Sequence, residues 1–256
     1  MATATQNWLG VSINFDNVED KTSESSFDLL LEGFYKAQIK QVNKGVLGDK
    51  NRPALIVTFE LEDGKKEMTS ELYLPEQGDS EQAIKFKNEN LRNFFTRTIY
   101  SDLTKDEYTK ISSEDKNKAL KDAQTAKEGT DQFVGKNVLI HIKQEPFIAQ
   151  DKETKAIKFT ELDTATLISK MPKNILKLIN QKEEGGVDMS KMPVILFSNK
   201  VAGHGFGFYN DFNEETVLKN SKAYEFVQES VLNGGSSTTS TSSEPGAAST
   251  KKIPNF

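Results

Sequence analysis

The side chains in this sequence that could do chemistry are cations and aromatic rings rather than nucleophiles. There is no cysteine, and the histidines are two, His141 and His204. That excludes disulfides, thiolate nucleophiles, iron–sulfur clusters and thiolate zinc sites, and leaves little for base catalysis. No Gly-x-Ser-x-Gly segment occurs, and neither histidine stands in a pattern that pairs it with a serine. Gly129 and Gly135 are too widely spaced for a phosphate loop, and Asn137 stands where such a loop needs a magnesium-binding Ser or Thr. Gly203-His204-Gly205-Phe206-Gly207 follows a strand pattern, but Phe208-Tyr209-Asn210-Asp211 offers no helix N-terminus to a pyrophosphate. The cluster reads as a flexible hairpin, or as a loop that lets Phe206, Phe208 or Tyr209 reach a ligand. Acids are plentiful, yet no His-x-x-x-His or Asp-x-Asp-x-Asp spacing gathers them around a metal. No catalytic residue, metal or cofactor is expected.

Binding chemistry is better represented. Single-stranded nucleic acid is held by positive groups along the phosphates and by rings that stack on bases. Phe34, Lys36 and Lys40 share one face of a strand pattern, opposite Tyr35, Ala37 and Ile39. Tyr73 projects oppositely to Leu72 and Leu74, and His141, Lys143 and Lys158 add ring or charge on later strands. The chain has three arginines, and two of them, Arg92 and Arg97, fall on one predicted helix, with Phe86 and Tyr100 on the same side as Arg97. Exposed rings beside guanidinium groups suit stacking and phosphate contact. Each of these residues has an ordinary alternative as outer-face sheet or helix surface.

The elements that must position them follow from periodicity. Residues 34–42, 54–61 and 67–74 alternate with period two, separated by turn residues that include Asp63-Gly64, which predicts an antiparallel meander. Asp79 and Gln82 resemble a capping box, and Ile84, Leu91, Phe94, Phe95 and Ile99 share a helical stripe, which predicts a helix over 80–100. Residues 103–127 read as one or two exposed helical pieces. Strand character returns at 138–143 and, after a polar loop at 151–155 that could finger a ligand groove, at 157–162. Helices are predicted beyond Pro172 within 167–180 and over 214–232, with an apolar strand at 194–198 between them. From Asn233 onward Ser, Thr, Gly and Ala dominate, the composition of a disordered tail.

Length and charge bound the reading. The 256 residues suffice for one large domain or two small ones, and the 36% apolar fraction suggests exposed surface and some unstructured chain. No apolar run is long enough to cross a bilayer and no signal peptide is recognisable, so the protein reads as soluble and intracellular, with no membrane partner. The net charge is −5, but residues 16–32 carry six acids and one lysine whereas residues 85–97 carry four basic residues against Glu89. Such polarity fits an anion-binding face set against a repulsive one.

Three meander strands, a helix and a further strand pair are the element order of the five-stranded OB barrel, whose exposed face binds oligonucleotides. With Gly33-Phe34-Tyr35-Lys36-Ala37-Gln38-Ile39, Leu55-Ile56-Val57-Thr58-Phe59-Glu60-Leu61 and Leu91-Arg92-Asn93-Phe94-Phe95, residues 30–165 resemble the single-stranded-DNA-binding proteins of tailed bacteriophages. The end, Ile253-Pro254-Asn255-Phe256, resembles the docking tips of such proteins, although Asn255 intervenes and Lys251-Lys252 replaces the usual acidic run. Those lysines suit either an acidic partner or phosphate.

The resulting expectation is a mainly β (α+β) fold: an OB-like five-stranded barrel over residues 1–232 with a helical insertion at about 101–130, then a disordered tail at 233–256. The resemblance implies a non-enzymatic protein coating single-stranded DNA in the cytoplasm of an infected bacterium. Its groove would use Phe34, Lys36, Lys40, Tyr73, Arg92, Arg97, His141, Lys143 and Lys158. Its tail would recruit replication, recombination or transcription proteins through Ile253, Pro254 and Phe256. The rivals are a phage structural or assembly protein and, below it, a metal-dependent nuclease or recombination enzyme.

Overall fold

A computed structural model describes residues 29–62, 64, 66–213 and 218–234. The expected N-terminal arm with Trp8, the tail with Ile253, Pro254 and Phe256, and residues 214–217 of the expected last helix lie outside the described residues.

The meander forms as predicted: β1 (Gly33–Leu47), β2 (Arg52–Leu61) and β3 (Glu67–Tyr73) pair in antiparallel order. Alternation dictates the inward set, and Leu55, Val57, Phe59 and Leu61 of β2 are all buried. In β1 the inward residues are Ala37, Ile39 and then Val42, because the ladder skips Lys40 between Ile39 and Gln41. That bulge shifts the parity of the strand.

Helix α1 (Glu81–Ile99) follows, capped by Ser80, whose side chain accepts from the Ala83 N–H. Asp79, expected as part of the cap, instead accepts from the Glu76 N–H and from the Lys87 ammonium at 2.7 Å. The buried Phe94 sits 5.5 Å from Phe206 and 5.4 Å from Phe133, ring centroid to centroid, and seats α1 on the sheet. Helices α2 (Lys105–Lys110) and α3 (Ser113–Thr125) form the exposed insertion, in which Leu120 is the one buried residue of the two helices.

The long hairpin of β4 (Asn137–Ile148) and β7 (Ile195–Gly207) completes a five-stranded antiparallel sheet, ordered β3-β2-β1-β4-β7. This corrects the expected fifth strand. Residues 157–162 contribute instead to β5 (Phe159–Asp163), which pairs with β6 (Lys191–Pro193) in a separate two-stranded sheet. The sheet edges β3 and β7 come close but form no ladder, so the expected barrel is not closed by hydrogen bonds.

Between β4 and β7 the chain also builds α4 (Thr164–Leu167) and α5 (Lys173–Glu184), the latter starting beyond Pro172 as predicted. Helix α6 (Lys222–Gly234) starts later than its periodicity suggests, because Lys219 first bridges to Glu32. These pieces share a second core around Ile148, Ile175, Ile179, Met192 and Ile195, while Ile39, Val57, Phe59, Ile140 and Phe206 belong to the first. The β4–β7 hairpin thus runs from one core to the other. With 37% helix against 35% strand, the fold is α+β rather than mainly β.

Candidate functional site

Phe34 of β1 and His141 of β4 are register partners across an antiparallel ladder, which places their side chains on one face. Their rings stack, with centroids 4.8 Å apart and planes 21° from parallel. The glycine cluster makes room for this pair. Ile140 pairs with Phe206 and Ile142 with Val201, so residues 202–205 of β7 bulge out opposite the single residue His141. A Cβ on Gly205 would lie 2.7 Å from the His141 Cβ, and one on Gly207 would lie 3.1 Å from the Leu139 Cβ and 3.6 Å from the Phe34 ring. The cluster is therefore a bulged strand and not the expected hairpin. Nor does it deliver rings to a ligand: Phe206 and Phe208 are buried, and the Tyr209 hydroxyl donates to Glu62.

Beside the stacked pair opens a groove of about 410 Å³, lined by Phe34, His141, Lys143, Lys200, Phe86 of α1 and the glycine bulge. Phe86 is 53% exposed. Lys143 and Lys200 face each other across the ladder, and Glu145, which also lines the groove, pairs with Lys200 at 3.3 Å. Burial first, and then the neighbouring Lys143, holds the His141 imidazole below its ordinary pKa, so the stacked ring is favoured in its neutral form. The groove thus combines a flat ring pair, a second exposed ring and two ammonium groups against one carboxylate. That set offers ring faces to a planar ligand and cations to an anion.

No protein-family model matches this chain, and no curated protein does. Among the described residues no group of three or more His, Asp or Glu side chains is placed to hold a metal ion, and no helix is long and apolar enough to cross a membrane.

The remaining expected site residues are not gathered in this groove. Lys36 lies 3.7 Å from Glu62 and packs over the rings of Tyr209 and Phe212. Lys40, outward by alternation and left without a ladder partner at the β1 bulge, is held between Glu67 at 2.8 Å and Glu60 at 3.1 Å, and those carboxylates raise its pKa. Tyr73 donates to Glu71 on its own edge strand. Arg92 reaches Asn117 and lines a different cavity of about 510 Å³ beneath α3.

Arg97 faces inward. Its guanidinium lies 4.0 Å from the Phe208 ring centroid and 5.9 Å from that of Tyr108, burial lowers its pKa, and its Nε has no acceptor. Of the rings expected beside it, Phe86 lines the groove instead, whereas Tyr100 packs on Tyr108, the ring that Arg97 also approaches. Lys158 sits in the segment between β4 and β7, where its backbone bonds to Ala149 and Val194. The polar loop before it is a closed turn, with the Asp151 carboxylate accepting from Glu153 and Thr154, and it does not line the groove.

Of the nine expected side chains, the structure brings Phe34, His141 and Lys143 together in this groove and leaves the other six outside it. Sequence reasoning missed Lys200 and the position of Phe86. The alternation of β7 outward from Ile195 was the signal for Lys200, and only the placing of α1 beside the glycine bulge locates Phe86.

Proposed function

We propose that this chain binds single-stranded nucleic acid, DNA in the first place, in the groove beside Phe34 and His141. The observation that carries the reading is the stacked pair set next to Lys143 and Lys200 in a groove that Phe86 also lines. Bases stack on rings at roughly 1–3 kcal/mol each without regard to sequence, and lysines meet the phosphates between them. The strand order supports it: three meander strands, α1, and then β4 beside β1 with β7 beyond it follow the element order expected of an OB-type fold, with β3 and β7 left unpaired. In this reading the protein coats the single strands of a replicating or recombining phage genome in the bacterial cytoplasm, without catalysis. The tail recruits replication, recombination or transcription proteins.

One observation favours the rival reading, a phage structural or assembly protein: Lys36 and Lys40 are already neutralised by carboxylates of the same face. Fluorescence anisotropy with labelled oligo-dT and with duplex DNA, across a salt series and with magnesium, decides between them. Selective binding of the single strand, steeply weakened by salt, is the expected result. No binding at low salt overturns the proposal in favour of assembly, and shortening of the oligonucleotide indicates an enzyme.

A further inference from the structure

Between Ile142 and Ile148, β4 pairs with residues 201–195 of β7 without a bulge, so strict alternation assigns each side chain a face. Gln144, Ile148, Ile195 and Val201 are buried. Lys143, Glu145 and Phe147 of β4 and Leu196, Ser198 and Lys200 of β7 face outward. Phe147 and Leu196 are direct cross-strand partners, 43% and 47% exposed, on the face that carries the lysine pair of the groove.

We propose that Phe147 with Leu196 is a second stacking platform, so that one nucleic-acid strand runs from the Phe34–His141 pair, past Lys143 and Lys200, to the far end of this ribbon. The inference rests on the reading above and extends it: the interface has two ends. Six residues of strand at about 3.4 Å each separate His141 from Phe147 by about 20 Å. Neighbouring stacked bases are only about 3.4 Å apart, so a di- or trinucleotide reaches one platform and a longer strand reaches both.

The surroundings select this occupant over a second copy of the chain. Two side chains offer at most a few hundred Å², short of the ~800 Å² per partner that a stable protein interface buries. A single base covers such a patch. The rest of the face is also suited to a phosphate chain. Its two lysines outnumber its one acid, Glu145 is ion-paired to Lys200, and Lys143 has no ion pair among the described residues. Ser198, between the platforms, is a small hydroxyl that lets a backbone pass close and can donate to it.

The test compares the full chain with a Phe147→Ser, Leu196→Ser double variant by anisotropy, using an oligo-dT of about 12 nucleotides and one of about 3. The expected result is a loss of about 5- to 100-fold for the long probe and none for the short one. Equal affinity of both chains for the long probe overturns the second platform while leaving the groove standing. A matching loss on the short probe also overturns it, since a trinucleotide held on the Phe34–His141 pair ends short of Phe147 and Leu196. If the native chain binds neither probe, the groove reading falls and this one with it. Ultraviolet cross-linking of the long probe to the native chain is independent of how the variant folds. A cross-linked peptide carrying Phe147 or Leu196 is expected, and cross-links confined to residues 34, 86 and 141 count against the inference.

Discussion

Gln144 and Asn199 face each other across the β4–β7 ladder and between them satisfy both backbone polar groups of Leu30. The Leu30 N–H donates to the Asn199 Oδ1 at 2.8 Å. Its carbonyl accepts from the Asn199 Nδ2 at 2.9 Å and the Gln144 Nε2 at 3.0 Å. The Gln144 Oε1 also accepts the Ser221 N–H at 2.8 Å, just before α6. This pair, Gln144 buried and Asn199 half-buried, lies where the hairpin passes between the two cores, and it fastens the segments at both ends of the described chain to one point.

Gln144→Leu keeps the volume but leaves the Ser221 N–H without its acceptor. A buried donor stripped of its partner costs about 1–3 kcal/mol. Thermal unfolding at neutral pH is expected to move down accordingly, with amide exchange at the start of α6 accelerated; an unchanged midpoint and unchanged exchange contradict the assigned role.

Phe34→Ala removes half of the ring pair in the groove, and affinity for oligo-dT is expected to fall by about 1–3 kcal/mol. Lys40→Ala is the contrasting variant. Its ammonium is already shared by Glu60 and Glu67, so its loss is expected to leave binding unchanged. Anisotropy titrations of the two proteins side by side test this, and equal losses speak against the groove.

Protonation of His141 has opposite effects on folding and on binding. Its folded pKa lies below the ordinary 6.5 because burial disfavours the imidazolium. The unfolded chain therefore takes up this proton first as pH falls. The stability contribution is complete above the unfolded value and is lost as pH drops through the folded pKa. A phosphate in the groove favours the charged ring, so oligo-dT affinity rises over the same interval. Chemical denaturation and anisotropy at matched pH values, with His141→Phe as control, read the two slopes; a control that retains both slopes shows that His141 is not their source.

Glu145→Gln removes the one carboxylate lining the groove and releases Lys200 from its 3.3 Å pair. Binding of oligo-dT is expected to tighten, and the slope of log affinity against log salt to steepen by up to about one. Because the substitution improves binding, a damaged fold cannot imitate the result. Weaker binding contradicts the proposed path of the phosphates.

Gly205→Ala places a Cβ 2.7 Å from the His141 Cβ and 2.9 Å from the Ala202 carbonyl oxygen. Neither atom is the end of a flexible side chain, so the bulge or the histidine has to shift, at about 1–3 kcal/mol. The expected signs are a lower melting temperature and altered His141 ring resonances in NMR spectra. An alanine variant of native stability with unmoved resonances shows that the bulge has no part in forming the stack.

By itself the sequence determined what depends on neighbours a few residues away. The inward set of β2, the stripe that seats Phe94, the helix beyond Pro172 and the exposed character of residues 103–127 follow from local periodicity and burial, and each is present. The tertiary structure alone decided which strand joins β4. Residues 157–162 and 195–207 carry similar local signals, and the choice rests on two hydrophobic cores that form only when distant segments meet. It also decided which of the expected cations lie against carboxylates. Lys36, Lys40 and Lys143 look alike along the chain, but cross-strand pairing sets the first two against Glu62, Glu60 and Glu67, whereas Lys143 faces Lys200. Charge and ring type are local properties; the field and space around them are set by what the fold brings opposite.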